Sequence, residues 1–232
     1  MTTALSIIIP SLNEAAGIAA TLEALQGFRA RGAEIIVADG GSSDASVKLA
    51  VPFADAVVAA PRGRAAQMNA GARTARGDVL LFMHADCVLP PDADRLIVDK
   101  LAASRKQWGR FDVALDGRHA LLKIIAFMMN TRSRLTGIAT GDQAIFMTRE
   151  LFSRLNGFPA LPLMEDIALS KNAKRVGAPL CLRARVITSA RRWERNGVLR
   201  TVLRMWRLRL AYYFGADPAA LALRYDAVRA RD

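Results

Sequence analysis

Residues 5–14, LSIIIPSLNE, contain the pattern from which the fold is predicted. A short run rich in β-branched residues that stops at Pro10 is typical of a buried strand. Asn13 then occupies an expected helix N-cap, and we predict a helix over residues 14–28. The opening unit is therefore a strand followed by a helix.

The same alternation continues through the first hundred residues, with predicted strands at 34–39, 56–60 and 78–83 and predicted helices at 64–74 and 93–104. Strands that alternate with helices over short loops predict an α/β fold with a mostly parallel central sheet flanked by helices. The second half is less regular. Its predicted strands are 110–116, 144–147 and 179–183, and its predicted helices are 118–131, 165–176 and 197–214.

Polar residues follow three of the predicted strands, at 10–14, 39–44 and 84–86. Ligands of parallel sheets bind outside the carboxyl ends of the strands. We therefore expect these three segments to line one crevice.

Charge is concentrated towards the C-terminus of this chain, whose net charge is +12. From Arg183 onward there are twelve arginines and four acidic residues, which leaves +4 for the first 182 residues. A basic segment predicts an anionic partner: lipid headgroups, a phosphorylated substrate or nucleic acid. Aromatic residues are only 6% of the chain, which argues against nucleic acid, because stacking platforms would be expected.

The predicted helix at 197–214 is amphipathic. One face carries Val198, Leu199, Val202, Leu203, Trp206, Leu210 and Tyr213, and the opposite face carries Arg200, Arg204 and Arg207, while Arg209 breaks the pattern. Two interpretations stay open. The helix either docks its apolar face on its own domain or lies on an anionic membrane.

No apolar run approaches the roughly 18–20 residues that a membrane-spanning helix needs, and no signal peptide is predicted. Cys87 and Cys181 are the two cysteines, which predicts a reducing, cytoplasmic setting, with the inner membrane face as a further possibility.

The segments at 7–14, 39–44 (DGGSSD), 84–86 (HAD) and 165–166 (ED) together resemble family 2 glycosyltransferases of the GT-A fold. With residues 62–69 (RGRAAQMN), the chain looks most like a small bacterial subgroup often encoded beside radical-SAM or selenium-associated genes. The resemblance covers residues 5–176. It implies a Rossmann-like GT-A domain at 1–182, with a donor half to about 105 and an acceptor half after it. Residues 183–232 would form a basic helical extension.

The resemblance also implies roles for individual residues. Contacts to a nucleotide-diphosphate sugar, with UDP expected, would come from Pro10, Asn13, Glu14, Asp39, Gly40, Ser42, Arg64, Asn69, Ala85 and Asp142. Residues 191–193 (RRW) would either fold over the pyrophosphate or form a basic surface run.

Asp86 matches the last acid of the family's D-x-D turn, which binds Mg²⁺ or Mn²⁺ between the two phosphates. His84 replaces the first acid and is either a ligand or a structural residue. Such hard ions are often held by one or two carboxylates plus substrate phosphates, so Asp86 suffices. Asp166 matches the general base that deprotonates an acceptor hydroxyl, which implies inversion at the anomeric carbon.

Each of these residues also has a structural interpretation. Asp39 and Asp142 could be turn acids, Asp86 could cap a loop, and Asp166 could be a first-turn helix acid. Two other functions are weighed: a sugar-phosphate nucleotidyltransferase, and an inactive nucleotide-sugar or anion-binding module. Segment 11–15 (SLNEA) lacks the Gly-rich basic loop that a nucleotidyltransferase usually has after its first strand, which argues against the former.

Overall fold

The computed structural model describes residues 4–191, 194 and 197–229, and its described strands form one eight-stranded sheet in the order β3-β2-β1-β4-β7-β6-β8-β5. The strands are β1 (Leu5–Ser11), β2 (Glu34–Asp39), β3 (Ala56–Ala59), β4 (Val79–Phe82), β5 (Cys87–Val88), β6 (Trp108–Asp116), β7 (Ile145–Thr148) and β8 (Leu180–Ser189).

Most neighbouring strands are parallel. The four strands from β3 to β4 run in one direction, and β6 and β8 are parallel to each other. β7 is antiparallel to both of its neighbours, and β5 is antiparallel to β8. The predicted α/β fold with a mostly parallel sheet is therefore confirmed.

Helices cover both faces of the sheet: α1 (Ile18–Ala24), α2 (Gln26–Ala30), α3 (Ser46–Ala50), α4 (Arg64–Thr74), α5 (Ala93–Ala102), α6 (Leu121–Thr136), α7 (Arg149–Arg154), α8 (Glu165–Val176), α9 (Val198–Tyr213) and α10 (Pro218–Arg229). Ile7 and Ile9 of β1 pack in the core with α1 and α5, while Ile8 packs on the other side with α4 and α8. Burial on both faces explains why β1 is apolar without alternation.

The predicted helix at 14–28 is wrong in one respect, because the segment forms two short helices, α1 and α2, starting at Ile18. Asn13 is not its N-cap. Its φ is 55°, and its Oδ1 accepts a hydrogen bond from Ser43 N at 2.9 Å. The strand predicted to end at 183 continues to Ser189, because its pairing with β6 resumes after an irregularity in register. β8 thus crosses the boundary predicted at residue 182.

The C-terminal helices pack beside the start of α8, where Leu208 of α9 and Leu221 of α10 join Leu163, Met164 and Ile167 in one cluster. The predicted apolar face of α9 does not dock as a unit. Its buried residues are Val198, Thr201 and Leu208, whereas Leu199, Leu203, Trp206, Leu210 and Tyr213 are 54–74% exposed. Among the helices described, none has the length and apolar composition needed to cross a membrane.

Candidate functional site

The carboxyl ends of β1 and β2 form the first polar centre, the strand-end cluster, which contains Asn13, Glu14, Asp39 and Ser42. Asp39 is 7% exposed, and its Oδ2 accepts hydrogen bonds from Gly41 N and Ser42 N, both at 2.9 Å. Its Oδ1 accepts from Ser42 Oγ at 2.5 Å. The carboxylate therefore organises its own turn, as the turn-acid interpretation expects, at the edge where a ligand of the sheet would lie.

The loop after β1 is tied to the loop after β2. Asn13 N donates to Ser42 Oγ at 2.9 Å, and Glu14 N donates to Ser46 Oγ at 2.7 Å. Pro10 lies just before this loop, buried in β1 opposite Ala38. These bonds bring together two segments about 30 residues apart in the chain.

Gln67 on α4 binds the backbone at the carboxyl ends of β1 and β2. This residue was not predicted from the sequence as part of the site. Its side chain is 3% exposed, and Nε2 donates to the carbonyls of Ser11 at 2.6 Å and Ala38 at 3.0 Å. A Cβ at Gly40 would lie 2.9 Å from Gln67 Cδ, so the glycine is required for this close approach. The signal in the sequence was an amide within an otherwise Ala-rich helix.

Asn69, predicted to contact the nucleotide-diphosphate sugar, holds the backbone of Phe158. Its Nδ2 donates to Phe158 O at 2.9 Å, and its Oδ1 accepts from Phe158 N at 2.8 Å. The Phe158 ring packs edge-on against Phe82 at the end of β4, with 4.9 Å between centroids. Asn69 thus joins α4 to the loop before α8, and its contact with a nucleoside stays a prediction.

The turn after β4 holds the candidate metal ligands. One ligand atom from each of His84, Asp86 and Cys87 lies within 4.8 Å of the other two. Asp86 is exposed, whereas Ala85 is buried and its carbonyl accepts from Thr21 Oγ1 at 2.5 Å. Burial, with a further contribution from the Asp86 charge, raises the pKa of the Cys87 thiol well above its ordinary range. A protonated thiol does not ligate Mg²⁺ or Mn²⁺, so the donor set that fits such an ion is Asp86, with His84 beside it.

The His84 ring is held by the segment before β7. Its Nδ1 lies 3.3 Å from Asp142 Oδ1, and the ring is packed so closely on Gly141 that a Cβ there would overlap it. His84 and Asp142, predicted separately, are therefore neighbours. Gly141 is required for their arrangement.

Glu165 and Asp166, the first two residues of α8, complete the second polar centre, which we call the Glu165 cluster, with Arg64, His84 and Asp142. Asp166 Oδ2 accepts from Gly141 N at 2.9 Å, and Oδ1 accepts from Ile167 N at 2.7 Å. Two backbone donors thus fix the orientation of this carboxylate.

Glu165 is 4% exposed. Burial is the main reason why its pKa is raised to about 7, and the charge of Asp166 adds to it, while Arg64 and His84 act in the opposite direction. Burial also acts to lower the pKa of Arg64, but the charges of Glu165, Asp142 and Asp166 outweigh it, so this pKa lies above its ordinary value.

A cavity of about 10 Å³, roughly the space of one water molecule, lies within this cluster. Its lining is Met68, Phe82, His84, Gly141, Ile145, Phe158, Glu165 and Asp166. Two non-glycine residues adopt a left-handed backbone at its borders: Ala144 (φ 45°), and Met164 (φ 69°), which precedes α8. Such conformations cost energy and concentrate at functional sites.

The predicted pyrophosphate loop at 191–193 is described only at Arg191, which is exposed and whose Nε donates to Ser189 Oγ at 3.1 Å. Arg192 and Trp193 lie outside the described residues.

Solved structures with the same fold include TarS, a mannosyltransferase and a glucosyl-3-phosphoglycerate synthase. TarS residues 1–349 of S. aureus give a TM-score of 0.66 at 17% identity, covering 81% of this chain and 60% of that chain. Mannosyltransferase PcManGT from Pyrobaculum calidifontis, in complex with GDP-Man and Mn²⁺, gives 0.62 at 21% identity over 89% of this chain and 60% of that chain. Glucosyl-3-phosphoglycerate synthase from Mycobacterium tuberculosis, with Mn²⁺, UDP and phosphoglyceric acid, gives 0.58 at 18% identity over 78% and 68%.

A Haemophilus influenzae protein described as an uncharacterized glycosyltransferase is 35% identical over 97 residues, which are 40% of this chain and 33% of that protein. The chain thus matches about a third of the length of this relative. The family model for glycosyl transferase family 2 matches residues 6–152, more than half of the chain and most of the sheet described above. The chain therefore belongs to glycosyl transferase family 2.

Proposed function

We propose that this chain is a glycosyltransferase that moves a sugar from a nucleotide-diphosphate donor, UDP-linked by preference, to an acceptor hydroxyl with inversion, and that Asp166 is the general base. The observation that carries the proposal is the fixed Asp166 carboxylate, which two backbone N–H groups hold beside His84 and Arg64. We also propose that the chain belongs to the small bacterial subgroup that is often encoded beside radical-SAM or selenium-associated genes.

The reaction needs a base and a way to stabilise the leaving group. The acceptor oxygen attacks the anomeric carbon, its proton passes to Asp166, and the bond from that carbon to the diphosphate oxygen breaks. A positioned carboxylate contributes roughly 10²–10⁴-fold to such a step. Asp86 would hold a divalent cation, which would supply positive charge to offset the charge of the departing diphosphate.

Two polar centres divide the work of binding. We place the nucleoside at the strand-end cluster, where Asp39 and Ser42 lie at the carboxyl ends of parallel strands. Asp86 would hold the ion, Mn²⁺ or Mg²⁺, and Arg64 would stabilise negative charge nearby. Solved structures of the same fold with UDP-GlcNAc, GDP-Man, UDP and Mn²⁺ support a nucleotide sugar and a divalent cation as the ligands.

Donor binding and donor hydrolysis test the proposal without knowledge of the acceptor. We expect a UDP-sugar or GDP-sugar with Mn²⁺ to raise the melting temperature and to be hydrolysed slowly. Asp166→Asn should keep the melting shift but lose hydrolysis by about 10²–10⁴-fold, since water also needs a base. Asp86→Ala should lose the Mn²⁺-dependent part of the shift. Absence of a shift with every nucleotide sugar, or wild-type hydrolysis by Asp166→Asn, would refute the assignment.

We further propose that the acceptor is lipid-linked and that the protein contacts an anionic membrane through α6 and α9. The two helices are neighbours, because Leu122 of α6 and Val198 of α9 share one buried cluster. Their outer faces form what we call the apolar surface: Ile124, Phe127, Met128, Leu135, Leu199, Leu203, Trp206, Leu210 and Tyr213, all at least 43% exposed. Exposed apolar area of this kind marks an interaction site.

Charge on α9 favours an anionic lipid as the partner of the apolar surface. Arg200 and Arg207 are exposed on the same helix, and basic residues beside an apolar stripe are typical of interfacial helices. Leu203→Gln with Trp206→Gln should reduce sedimentation with phosphatidylglycerol vesicles at low salt. Val51→Gln, which changes a similarly exposed residue on the α3 side, should not. Equal sedimentation of all three proteins would count against membrane contact.

A further inference from the structure

Two arginines beside the Glu165 cluster have buried N–H groups without a protein partner. Nε and Nη2 of Arg132 on α6 and Nε of Arg209 on α9 each expose less than 1 Å², and none has a hydrogen-bond partner within the described part of the chain. Buried polar atoms are almost always hydrogen-bonded, and the exceptions often indicate a ligand or a functional role. Neither arginine was singled out as a site residue from the sequence.

The two guanidinium groups lie close enough to repel each other. Burial is the main reason why the pKa of Arg132 is lowered to about 10, and the positive charges of Arg209 and Arg110 add to the effect. The Nε of Arg110 is also buried without a partner among the described residues, but its Nη1 donates to Asp112 and its Nη2 donates to Asn130 O at 3.1 Å. Arg132 and Arg209 therefore form a positive pair whose buried N–H groups have no hydrogen-bond partner among the described residues.

Asp166 lies next to this pair. It is the acid whose charge acts on Arg132, and it also raises the pKa of Tyr212, one turn after Arg209, where burial is the larger cause. Leu208, directly before Arg209, packs with Met164 and Ile167 around the start of α8. The positive pair on α6 and α9 and the proposed base at the start of α8 thus lie in one region of the fold.

We propose that Arg132 and Arg209 bind a phosphate group of the acceptor and so place its reacting hydroxyl at Asp166. This inference rests on the proposed function and specifies its acceptor as a phosphate-bearing molecule. Arginine suits the role because its planar N–H groups match phosphate oxygens in pairs. The phosphate belongs either to a lipid headgroup, which the apolar surface on the same two helices would admit, or to a soluble phosphate ester.

Inorganic phosphate is a direct probe of this site. We would measure melting temperature with and without about 20 mM phosphate at constant ionic strength, with UDP and Mg²⁺ present to occupy the donor site. For a Kd near 1 mM, the expected rise for the wild type is about 4–7 °C. Arg132→Gln and Arg209→Gln should abolish this rise. Arg175→Gln, which removes the same charge from an exposed position on α8, should retain it.

The melting temperature without phosphate shows whether the Arg132→Gln and Arg209→Gln variants fold. Removing one of two unpaired positive charges relieves repulsion, so without phosphate both variants should melt at or above the wild-type temperature. No phosphate response in the wild type, or a full response in both variants, would overturn the proposal. Donor hydrolysis by the same proteins, measured without UDP, separates the two claims. Hydrolysis without a phosphate response would refute the acceptor site alone, whereas a phosphate response without hydrolysis would refute the transferase assignment.

Vesicles distinguish the two sources of the phosphate. Phosphatidic acid exposes a phosphate monoester, whereas phosphatidylserine at matched vesicle charge does not. Preference for phosphatidic acid that Arg132→Gln removes would support the site and identify a lipid phosphate. Equal binding to both vesicles, together with the melting response to inorganic phosphate, would support the site and identify a soluble ester.

Discussion

Glu165→Gln tests whether the buried acid beside the proposed base destabilises the native protein at neutral pH. The native pKa of Glu165 is about 7 against an ordinary value of 4.5, because of burial and then the charge of Asp166. A difference of 2.5 pKa units corresponds to about 3 kcal/mol. The charges of Arg64 and His84 act to lower the pKa of Glu165, and the native pKa of about 7 includes their contribution.

The sign follows from proton binding. The native state holds the Glu165 proton more tightly than the unfolded chain does, so its stabilising effect is complete below about pH 4.5. That contribution is lost as the pH rises through about 7. Glutamine does not titrate, so the free energy of unfolding of the variant should exceed that of the wild type increasingly from pH 5 to pH 8. The gain at pH 8 is at most about 3 kcal/mol, because Arg64 loses one of its acidic neighbours.

Urea unfolding of both proteins at pH 5, 6, 7 and 8 measures this difference, and the pH-dependence of all other groups cancels between them. Asp166→Asn is the matched control, because it removes the second cause of the shift and should flatten the same slope only in part. If the free energies of unfolding of wild type and Glu165→Gln change with pH in parallel, or if their difference shrinks as the pH rises, Glu165 is not buried in charged form at neutral pH.

Two glycines allow further tests of close packing. Gly71→Ala on α4 would place a Cβ 2.5 Å from Ile8 Cγ2, so urea unfolding should show a loss of about 1–3 kcal/mol. Gly27→Ala is the control, because its Cβ would lie 3.6 Å from the nearest atom, and it should be neutral or stabilising by up to about 1 kcal/mol. A similar loss of stability in the two variants would contradict the close packing of Gly71 on Ile8. Gly141→Ala should displace the His84 ring and lower the rate of donor hydrolysis at least about tenfold, which corresponds to about 1.4 kcal/mol. The melting temperature should change little. An unchanged rate of hydrolysis would show that hydrolysis does not depend on the position of the His84 ring.

Much of the fold could be predicted because its strands are apolar on both faces. The apolar residues of β1, β2 and β4 are each sufficient to predict the strand that contains them. Helix α8 was predicted with its observed bounds. Sequence periodicity did not reveal that residues 14–28 contain two helices, since the break at Leu25 involves an ordinary buried residue with helical backbone angles. α10 was also missed.

The two polar centres differ in how far they could be predicted. Residues of the strand-end cluster follow adjacent parallel strands, so strand order alone brings them together. In the Glu165 cluster, His84 and Asp142 meet across a sheet in which β7 is antiparallel to β4, which the sequence pattern did not indicate. Arg132 and Arg209 are farther apart still, on helices whose mutual packing depends on tertiary structure. A buried cation that lacks a partner is visible only once the surrounding atoms are placed.

Gln67 has a consequence for motion. One carboxamide bridges the carbonyl of Ser11 at the end of β1 and that of Ala38 near the end of β2, so these strand ends, where we place the nucleoside, should exchange their amide hydrogens slowly. The wall of the cavity in the Glu165 cluster includes Gly141, and Ala144 and Met164 at its borders have left-handed backbone. Any closure that accompanies donor entry would therefore occur in that wall, and the rate of product release would depend on it rather than on the parallel strands.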